Sequence, residues 1–499
     1  MKGKASITVA VLLVLALYFT GFIYAGGIQS TSPATSQGPI AIEIFEGISV
    51  ILPSPAQDPI LQGLQSKLGI TLNMNTTLGG NDYRNQLNIR IAGNDMPDVA
   101  WMINRTDLVK NAKDGTILEL TPYLSRLGQV TSYLGADYMA AGLVDGKLFA
   151  ICKAPNIPYS TYIIRKDWLD ALNLKVPQTM QEFKDTAVKF ANEDPDHNGV
   201  KDTIGISGGT WNAFQYIFGG YGIGAPGQYY VKNNTLINAL FEPDMPVALG
   251  EIKALIDTGC VDPELFTVTD SNLRLEKAWQ GKIGILYDQW VNVSKNIGPI
   301  KEVNPNANWI QIAIPQGPKG NYDSSASYYT SGLLSFGAHL AKDEAKLNKV
   351  IDLFNYVASP EGLRLVSYGI EGVHYNVENG KIVTTPRRTA EGGYFWAYQF
   401  VGRDEMEYLP TSFVGWDNEI KFANDQPRLR NLEAFFLPPD GYNKADMDRY
   451  ISDELVKFIY GRRPIAEYPQ FLNELETMFK DSVYMQTYVE QAKSFGFIK

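Results

Sequence analysis

From Ile40 onward, short apolar runs alternate with longer amphipathic stretches. Residues 40–50 read as a strand, and 58–68 as a helix with Ile60, Leu61, Leu64 and Leu68 on one face. Residues 70–74 read as the next strand. Residues 82–92 are helical, with Tyr83, Leu87 and Ile91 spaced by four, and 98–102 form a short third strand. This βαβαβ order is that of a parallel sheet with helices packed on it. A second series begins near residue 160. It has a strand at 161–164, a helix at 166–172, and a helix at 179–191 opened by Thr179 and Glu182 at capping-box spacing. A helix at 272–280, strands at 283–286 and 309–314, and a helix at 345–357 follow. The final hundred residues are mostly helical, with amphipathic runs at 447–459 and 468–479. Two proline-containing segments, 153–158 and 315–319, each precede a new α/β stretch. Proline removes a backbone donor and makes the preceding residue extended, so neither segment is helical. As a pair they read as crossings between two lobes.

One stretch is long and apolar enough to span a bilayer, and it lies at the start. Met1-Lys2-Gly3-Lys4 is basic, residues 5–25 are almost wholly apolar, and Ile23-Tyr24-Ala25 precedes Gly26 as a small-residue cleavage site. This is the anatomy of a secretory leader. The same residues are long enough to serve as an uncleaved anchor. Residues 26–39 are a polar tether with nothing to bury. No cysteine lies near the cleavage site, so a bacterial lipid attachment is absent. The expected location is therefore outside the cytoplasm, in the periplasm or on the outer face of the cell membrane.

Composition narrows the class. The chain has 499 residues, 45% of them apolar and 20% charged, with 44 Lys+Arg against 54 Asp+Glu. That is globular, and too acidic for a nucleic-acid binder, whose affinity comes from clustered Lys and Arg. Cys152 and Cys260 are the only cysteines. Export permits a bond between them, but two cysteines are not a disulfide framework, and the apolar run before Cys152 favours a buried free thiol.

Three motifs invite chemistry. Gly205-Ile206-Ser207-Gly208-Gly209 fits the G-x-S-x-G nucleophile elbow, but the downstream histidines, His339 and His374, carry no mark of a general base. Gly222-Ile223-Gly224-Ala225-Pro226-Gly227 matches G-x-G-x-x-G, yet Pro226 sits where a dinucleotide site needs free N–H groups. The third is Asp194-Pro195-Asp196-His197-Asn198-Gly199-Val200-Lys201-Asp202. Oxygen-bearing Asp194, Asp196, Asn198 and Asp202 stand at calcium-loop spacing around a turn glycine, with the Val200 carbonyl and Thr203 available to complete the shell. The acid expected at the loop's end is missing, since Gly205 stands there. The expectation is a structural Ca2+ site; the metal-free alternative is an Asx-rich turn ending the preceding helix.

A family resemblance rests on a series of motifs in order. They are Gly93-Asn94-Asp95-Met96-Pro97-Asp98-Val99, Asp145-Gly146-Lys147-Leu148-Phe149-Ala150-Ile151, Ile164-Arg165-Lys166-Asp167-Trp168-Leu169-Asp170, and Val176-Pro177-Gln178-Thr179. Gly281-Lys282-Ile283-Gly284 with Trp290, Ser359-Pro360-Glu361-Gly362, and Tyr368-Gly369-Ile370-Glu371-Gly372 follow. In this order the chain resembles the family 1 extracellular solute-binding proteins, receptors of bacterial carbohydrate ABC importers, and especially their long oligosaccharide- and alginate-binding branch. The resemblance implies a non-enzymatic α/β protein of the two-lobe periplasmic-binding-protein type, crossed three times by the chain. It implies closure on a sugar and docking on permease subunits served by a cytoplasmic ATPase, and the alginate-binding receptors carry a similar calcium loop. On this reading lobe 1 takes 40–153 and 319–375, and lobe 2 takes 159–314 and 396–499. The crossings fall at 154–158, 315–318 and about 376–395. The protein is expected to work as a monomer. The alternative is an exported carbohydrate-active hydrolase.

Sugars are held by aromatic faces and by planar polar side chains. Trp290 matches the family position from which an aromatic faces the sugar. Trp101 follows a strand end, where open α/β sheets place ligand loops. Trp211 with Tyr216, Tyr159, Trp396 and Trp416 are further loop aromatics, and Glu371 with His374 is a second choice. For each ring the alternative is a packed core position.

Overall fold

A computed structural model describes residues 38–154, 157–268, 270–295, 302, 305–323 and 332–499. The leader and almost all of the tether lie outside them. No helix among the described residues is long and apolar enough to cross a membrane.

Two sheets organise the chain. The first takes β1 (Ile40–Glu46), β2 (Ile70–Thr76), β3 (Val99–Met102), β4 (Ile151–Cys152) and, much later, β9 (Leu333–Phe336), in the order β2-β1-β3-β9-β4. The second takes β5 (Ser160–Arg165), β6 (Ile204–Ser207), β7 (Ile283–Gln289) and β8 (Trp309–Ile312), in the order β8-β5-β7-β6. Strands β1, β2 and β3 are parallel, as the βαβαβ pattern requires. Both sheets are nevertheless mixed. Strand β9 runs antiparallel to β3 and β4, and β5 runs antiparallel to β7 and β8. Periodicity finds a strand but not its partner, and each antiparallel strand is one that enters its sheet directly from a crossing.

Local signals explain most helix ends. The Asp58 side chain accepts the N–H groups of Ile60 and Leu61, each at 3.0 Å, and Pro59 opens the helix Pro59–Leu68. Thr179 and Glu182 make both bonds of a capping box at the helix Met180–Asn192. The run 468–479 is the helix Tyr468–Phe479.

The crossings are fixed by backbone pairing. The Lys153 N–H donates to the Gly332 carbonyl at 3.2 Å, and the Ala154 N–H to the Val401 carbonyl at 2.9 Å. Three chain segments thus run side by side between the sheets, near Lys153, Gly332 and Gly402. A Cβ on Gly402 would stand 2.7 Å from the Ala154 nitrogen, so only glycine lets the first and third come this close.

Two segments read as crossings lie elsewhere. Gln316 exchanges backbone bonds with Gln178 and Met180, Lys319 bonds to Gly220, and Asp323 to Pro427, so residues 315–323 still belong to the second-sheet body. Among the described residues the first-sheet body is next met at Gly332. The stretch 376–395 holds a hairpin (Tyr375–Glu378 with Lys381–Thr384) and the helix Pro386–Glu391. Tyr394, Phe395, Tyr398, Phe400 and Val401 then join the first-sheet core, and the Tyr394 and Tyr398 hydroxyls donate to the Asp58 carboxylate at 3.0 and 2.5 Å. Proline content marked irregular backbone, whereas these long-range bonds decide which body holds it. All described elements from Pro39 to Lys499 belong to one compact unit.

Candidate ligand-binding crevice

Open α/β sheets bind ligands beyond the carboxyl ends of their strands, where loops leave the sheet and connections diverge. In the first sheet Glu46, the last residue of β1, pairs with Thr76 and lies level with Trp101 near the end of β3. Leu333, which opens β9 one residue after the Gly332 crossing, pairs with both Met102 and Cys152. In the second sheet Gln289, the end of β7, pairs with Ser160, where the chain arrives from the first crossing. The carboxyl ends of the parallel strands in both sheets therefore face the crossings.

On the first-sheet side Glu46 is 1% exposed, and its Oε1 takes the Lys153 ammonium at 3.2 Å. Its Oε2 is buried without a hydrogen-bond partner, as is the indole Nε1 of Trp101. The Tyr83 hydroxyl donates to the carbonyls of Phe45 and Trp101 at 3.1 and 2.8 Å and locks the two strand ends together. A Cβ on Gly47 would stand 2.7 Å from the Tyr83 ring and 2.8 Å from Trp101, so glycine is what lets both rings close on the end of β1.

On the second-sheet side Trp290 is only 2% exposed. Trp416 stacks on it at 6.2 Å and 25°, Phe413 meets it edge-on at 5.2 Å, and Tyr159 lies at 6.3 Å. Protein thus covers the ring read first as a sugar contact. Beside it Asp288 accepts from Arg274 at 2.7 Å and from Asn292 at 2.8 Å. The Tyr159 hydroxyl donates to Glu405 Oε2 at 3.2 Å, and Arg403 pairs with Glu405 at 3.1 Å, tying the first crossing to the third. Burial pushes the Glu405 carboxyl up against the pull of Arg403, and it pushes the Tyr159 hydroxyl up as well.

The remaining candidates scatter. Half-buried Trp211 meets Phe266 at 5.0 Å and Phe218 at 6.3 Å in the turn after β6. Tyr216 is fully buried against Tyr162 and Phe183. Trp396 is half-exposed on the turn Gly392–Tyr398 of the first-sheet body. His374 is buried there, accepting from the Ile370 N–H at 2.9 Å and meeting Glu391 at 3.2 Å, while neighbouring Glu371 is exposed. So Tyr159, Trp290 and Trp416 come together, Trp101 stands opposite on the first sheet, and the others lie apart. Sequence reading missed Glu46, because it ran the first strand on to residue 50. Gly47 after Glu46 was the available signal for an earlier end.

The catalytic motifs dissolve into structure. Ser207 is fully buried, and its Oγ donates to Asp262 Oδ2 at 2.8 Å. No histidine serves it, since His339 bonds Asp98 at 2.9 Å, His374 is placed as above, and His197 lies in the acidic loop. Residues 222–227 lead into an antiparallel hairpin (Tyr229–Lys232 with Thr235–Asn238), with no helix start. Neither cysteine forms a disulfide; Cys152 belongs to the first sheet, and burial pushes its thiol up to about 12.

In the acidic loop the Asn198 amide donates to Asp196 at 2.9 Å and to Asp202 at 3.3 Å, and the Asp194 carboxylate takes the N–H groups of Asn198 and Gly199. Lys282 pairs with Asp202 and holds its carboxyl below the usual range. Burial and the neighbouring Asp194 push Asp196 up, and Asp196 Oδ1 is buried without a partner. Thr203 turns inward, its hydroxyl donating to the Phe190 carbonyl at 2.6 Å. Among the described residues no group of three or more His, Cys, Asp or Glu side chains is gathered as a metal-binding set.

The bacterial extracellular solute-binding protein family model matches residues 51–363. The chain belongs to the bacterial extracellular solute-binding proteins. Among relatives of this solute-binding chain, the lipoprotein LipO of Bacillus subtilis (strain 168) is 26% identical over 470 residues, covering 90% of this chain and 91% of LipO. The polygalacturonan/rhamnogalacturonan-binding protein YtcQ of the same organism is 25% identical over 385 residues, 75% of each chain. Among solved structures, the alginate-binding protein AlgQ2 without calcium ion superposes with a TM-score of 0.64 at 17% identity, covering 92% of this chain and 99% of AlgQ2. The expected two-lobe solute-binding architecture is borne out.

Proposed function

We propose that the chain is the exported substrate-binding subunit of an ABC importer. Its crevice captures a carbohydrate, an oligosaccharide, by lobe closure about the three crossings and delivers it to the permease. The observation that carries this reading is the pair of buried, unpartnered groups at adjacent strand ends: the Glu46 carboxylate oxygen and the Trp101 indole N–H. One accepts and one donates, as a sugar hydroxyl pair requires, beside an aromatic face for the apolar side of the ring. The family membership supports it, as do the polysaccharides named for YtcQ and AlgQ2. The subunit works as a monomer, does not bind nucleic acid, and meets a cytoplasmic ATPase only through the permease. Residues 1–25 direct export to the periplasm or outer cell face.

Calorimetric titration with an oligosaccharide panel tests this. At least one member binds without being cleaved, and Glu46→Gln weakens it by about tenfold or more, the loss expected for a hydrogen bond to a charged group. Release of sugar products by the purified protein would establish the hydrolase instead. Equal affinity in Glu46→Gln would take Glu46 out of the site.

We also propose that the loop Asp194–Asp202 holds a structural Ca2+. Asp194, Asp196, Asn198 and Asp202 supply side-chain oxygens and Val200 its carbonyl; Thr203, bonded to Phe190, is no longer a candidate. The unpartnered Asp196 oxygen and the crowding of Asp194 and Asp196 favour a cation there. An ion bound only by the folded state at a thousandfold excess over its Kd stabilises by about 4 kcal/mol. A chelator should therefore lower the melting temperature and added calcium restore it. A melting curve indifferent to chelator, with no calcium by elemental analysis, would leave the loop a plain turn.

A further inference from the structure

A second cavity, of about 540 Å³, lies between the helix Arg105–Lys113 of the first-sheet body and the C-terminal segment that includes Leu437, Gln491 and Phe495. The helix starts three residues after Met102, the end of β3, so the cavity's Arg105 end adjoins the loops of the crevice. Arg105, Lys110 and Lys113 line it together with Asp145 and Asp440, so its cations outnumber its acids in a chain whose net charge is −10. Lys110 is paired with exposed Asp114 at 2.8 Å. Arg105 is different. It is 5% exposed, and its Nη1 donates to the Ala141 carbonyl at 2.8 Å. The Phe495 ring lies 4.8 Å from the guanidinium carbon, and Nε is buried without a partner. Among the described residues no carboxylate reaches ion-pair distance of it. A buried guanidinium without a direct ion pair is an expensive arrangement, and Asp145 in the lining offsets it only from beyond ion-pair distance. Burial accordingly pulls its pKa down to about 10, against the opposing pull of the Asp145 carboxylate.

We propose that this pocket is a subsite for an acidic sugar unit, whose carboxylate is taken by Arg105 with Lys113 at the rim, so that the captured solute is anionic. A planar two-oxygen anion matches the guanidinium fork, and the burial of Arg105 strengthens the attraction. The inference rests on the carbohydrate reading above and names the class of sugar.

Titration with a galacturonic acid trimer, free galacturonate and uncharged maltotriose tests it. The acidic trimer should bind more tightly than maltotriose, and its affinity should fall as salt is raised. Arg105→Met, which keeps the apolar stem, should weaken it about tenfold, as loss of a charge-assisted pair does. Lys113→Gln, at an exposed position, should weaken it a few-fold and decides the matter if Arg105→Met fails to fold. An acidic trimer that binds no better than maltotriose, or that is indifferent to both substitutions, would overturn the inference. If maltotriose then still bound in a Glu46-dependent way, the carbohydrate reading would stand. Conversely, free galacturonate that binds the wild type and Trp101→Ala but not Arg105→Met or Lys113→Gln would uphold the anionic subsite even if no oligosaccharide bound.

Discussion

Alanine in place of Trp290 should destabilise the protein by about 3–5 kcal/mol, the usual cost of removing a buried tryptophan from a packed cluster. The ring is 2% exposed and in contact with Trp416, Phe413 and Tyr159, and Leu409, Ile420 and Ala423 complete its surroundings. Removing it leaves a void between the end of β7 and the segment that follows the third crossing. Urea unfolding followed by tryptophan fluorescence and circular dichroism measures the effect, and Trp290→Phe should recover part of the loss. A midpoint within a few tenths of wild type, with sugar affinity abolished, would show that the ring faces solute in solution and that this packing does not persist there.

Arg428→Met should have an effect of similar size through a different mechanism. The Asp323 carboxylate is 1% exposed and takes the Arg428 guanidinium and, at 2.9 Å, the Tyr287 hydroxyl. Arg428 also donates to the carbonyls of Ala423 and Ser160, at 2.8 and 3.2 Å, while the backbones of Asp323 and Leu429 bond to each other. Breaking a buried pair by removing one partner costs about 3–5 kcal/mol, because the remaining charge stays buried without its counter-ion. The double substitution Arg428→Met with Asp323→Asn removes that charge and should be less damaging than the single one. Chemical unfolding of the three proteins gives the comparison. Additive losses would mean the two residues contribute independently. Because Asp323 is the last described residue before Gly332, Arg428→Met should also alter closure, read as a changed ligand affinity at temperatures where the protein stays folded.

How far these sites were legible follows from the range of the forces involved. Local signals were plain: the Thr179–Glu182 capping box, the Asp58-Pro59 helix start and the apolar run of each βαβ strand act within a few residues and stand where the pattern put them. The family signal was equally legible, because motif order along a chain survives when overall identity is low. The acidic loop was visible as four oxygen residues at fixed spacing, though the inward turn of Thr203 toward Phe190 was not, since that bond spans a helix and a loop. Aromatic residues in Gly- and Asn-rich stretches read as loop residues free to meet a ligand. Tyr216, read so, and Trp290, read from its family position, are instead buried, because burial of so large a surface depends on what the distant chain brings over them.

By itself, then, the sequence determined the class of fold, the two α/β series, the family and the places where helices begin. Tertiary structure alone decided the mixed direction of both sheets and the pairing of Ala154 with Val401 at the third crossing. It also decided the burial of Trp290 and the convergence of Glu46, Trp101 and Lys153 at one edge of the crevice. The physical reason is the separation of the partners. Ala154 bonds Val401, Lys153 bonds Gly332, Asp58 takes Tyr394 and Tyr398, and Arg105 lies under Phe495. No periodicity of 2 or 3.6 residues encodes contacts hundreds of positions apart. They arise when two amphipathic bodies bury their apolar faces and the polar groups left at the seam find partners, or, at Glu46 Oε2 and Arg105 Nε, stay without one.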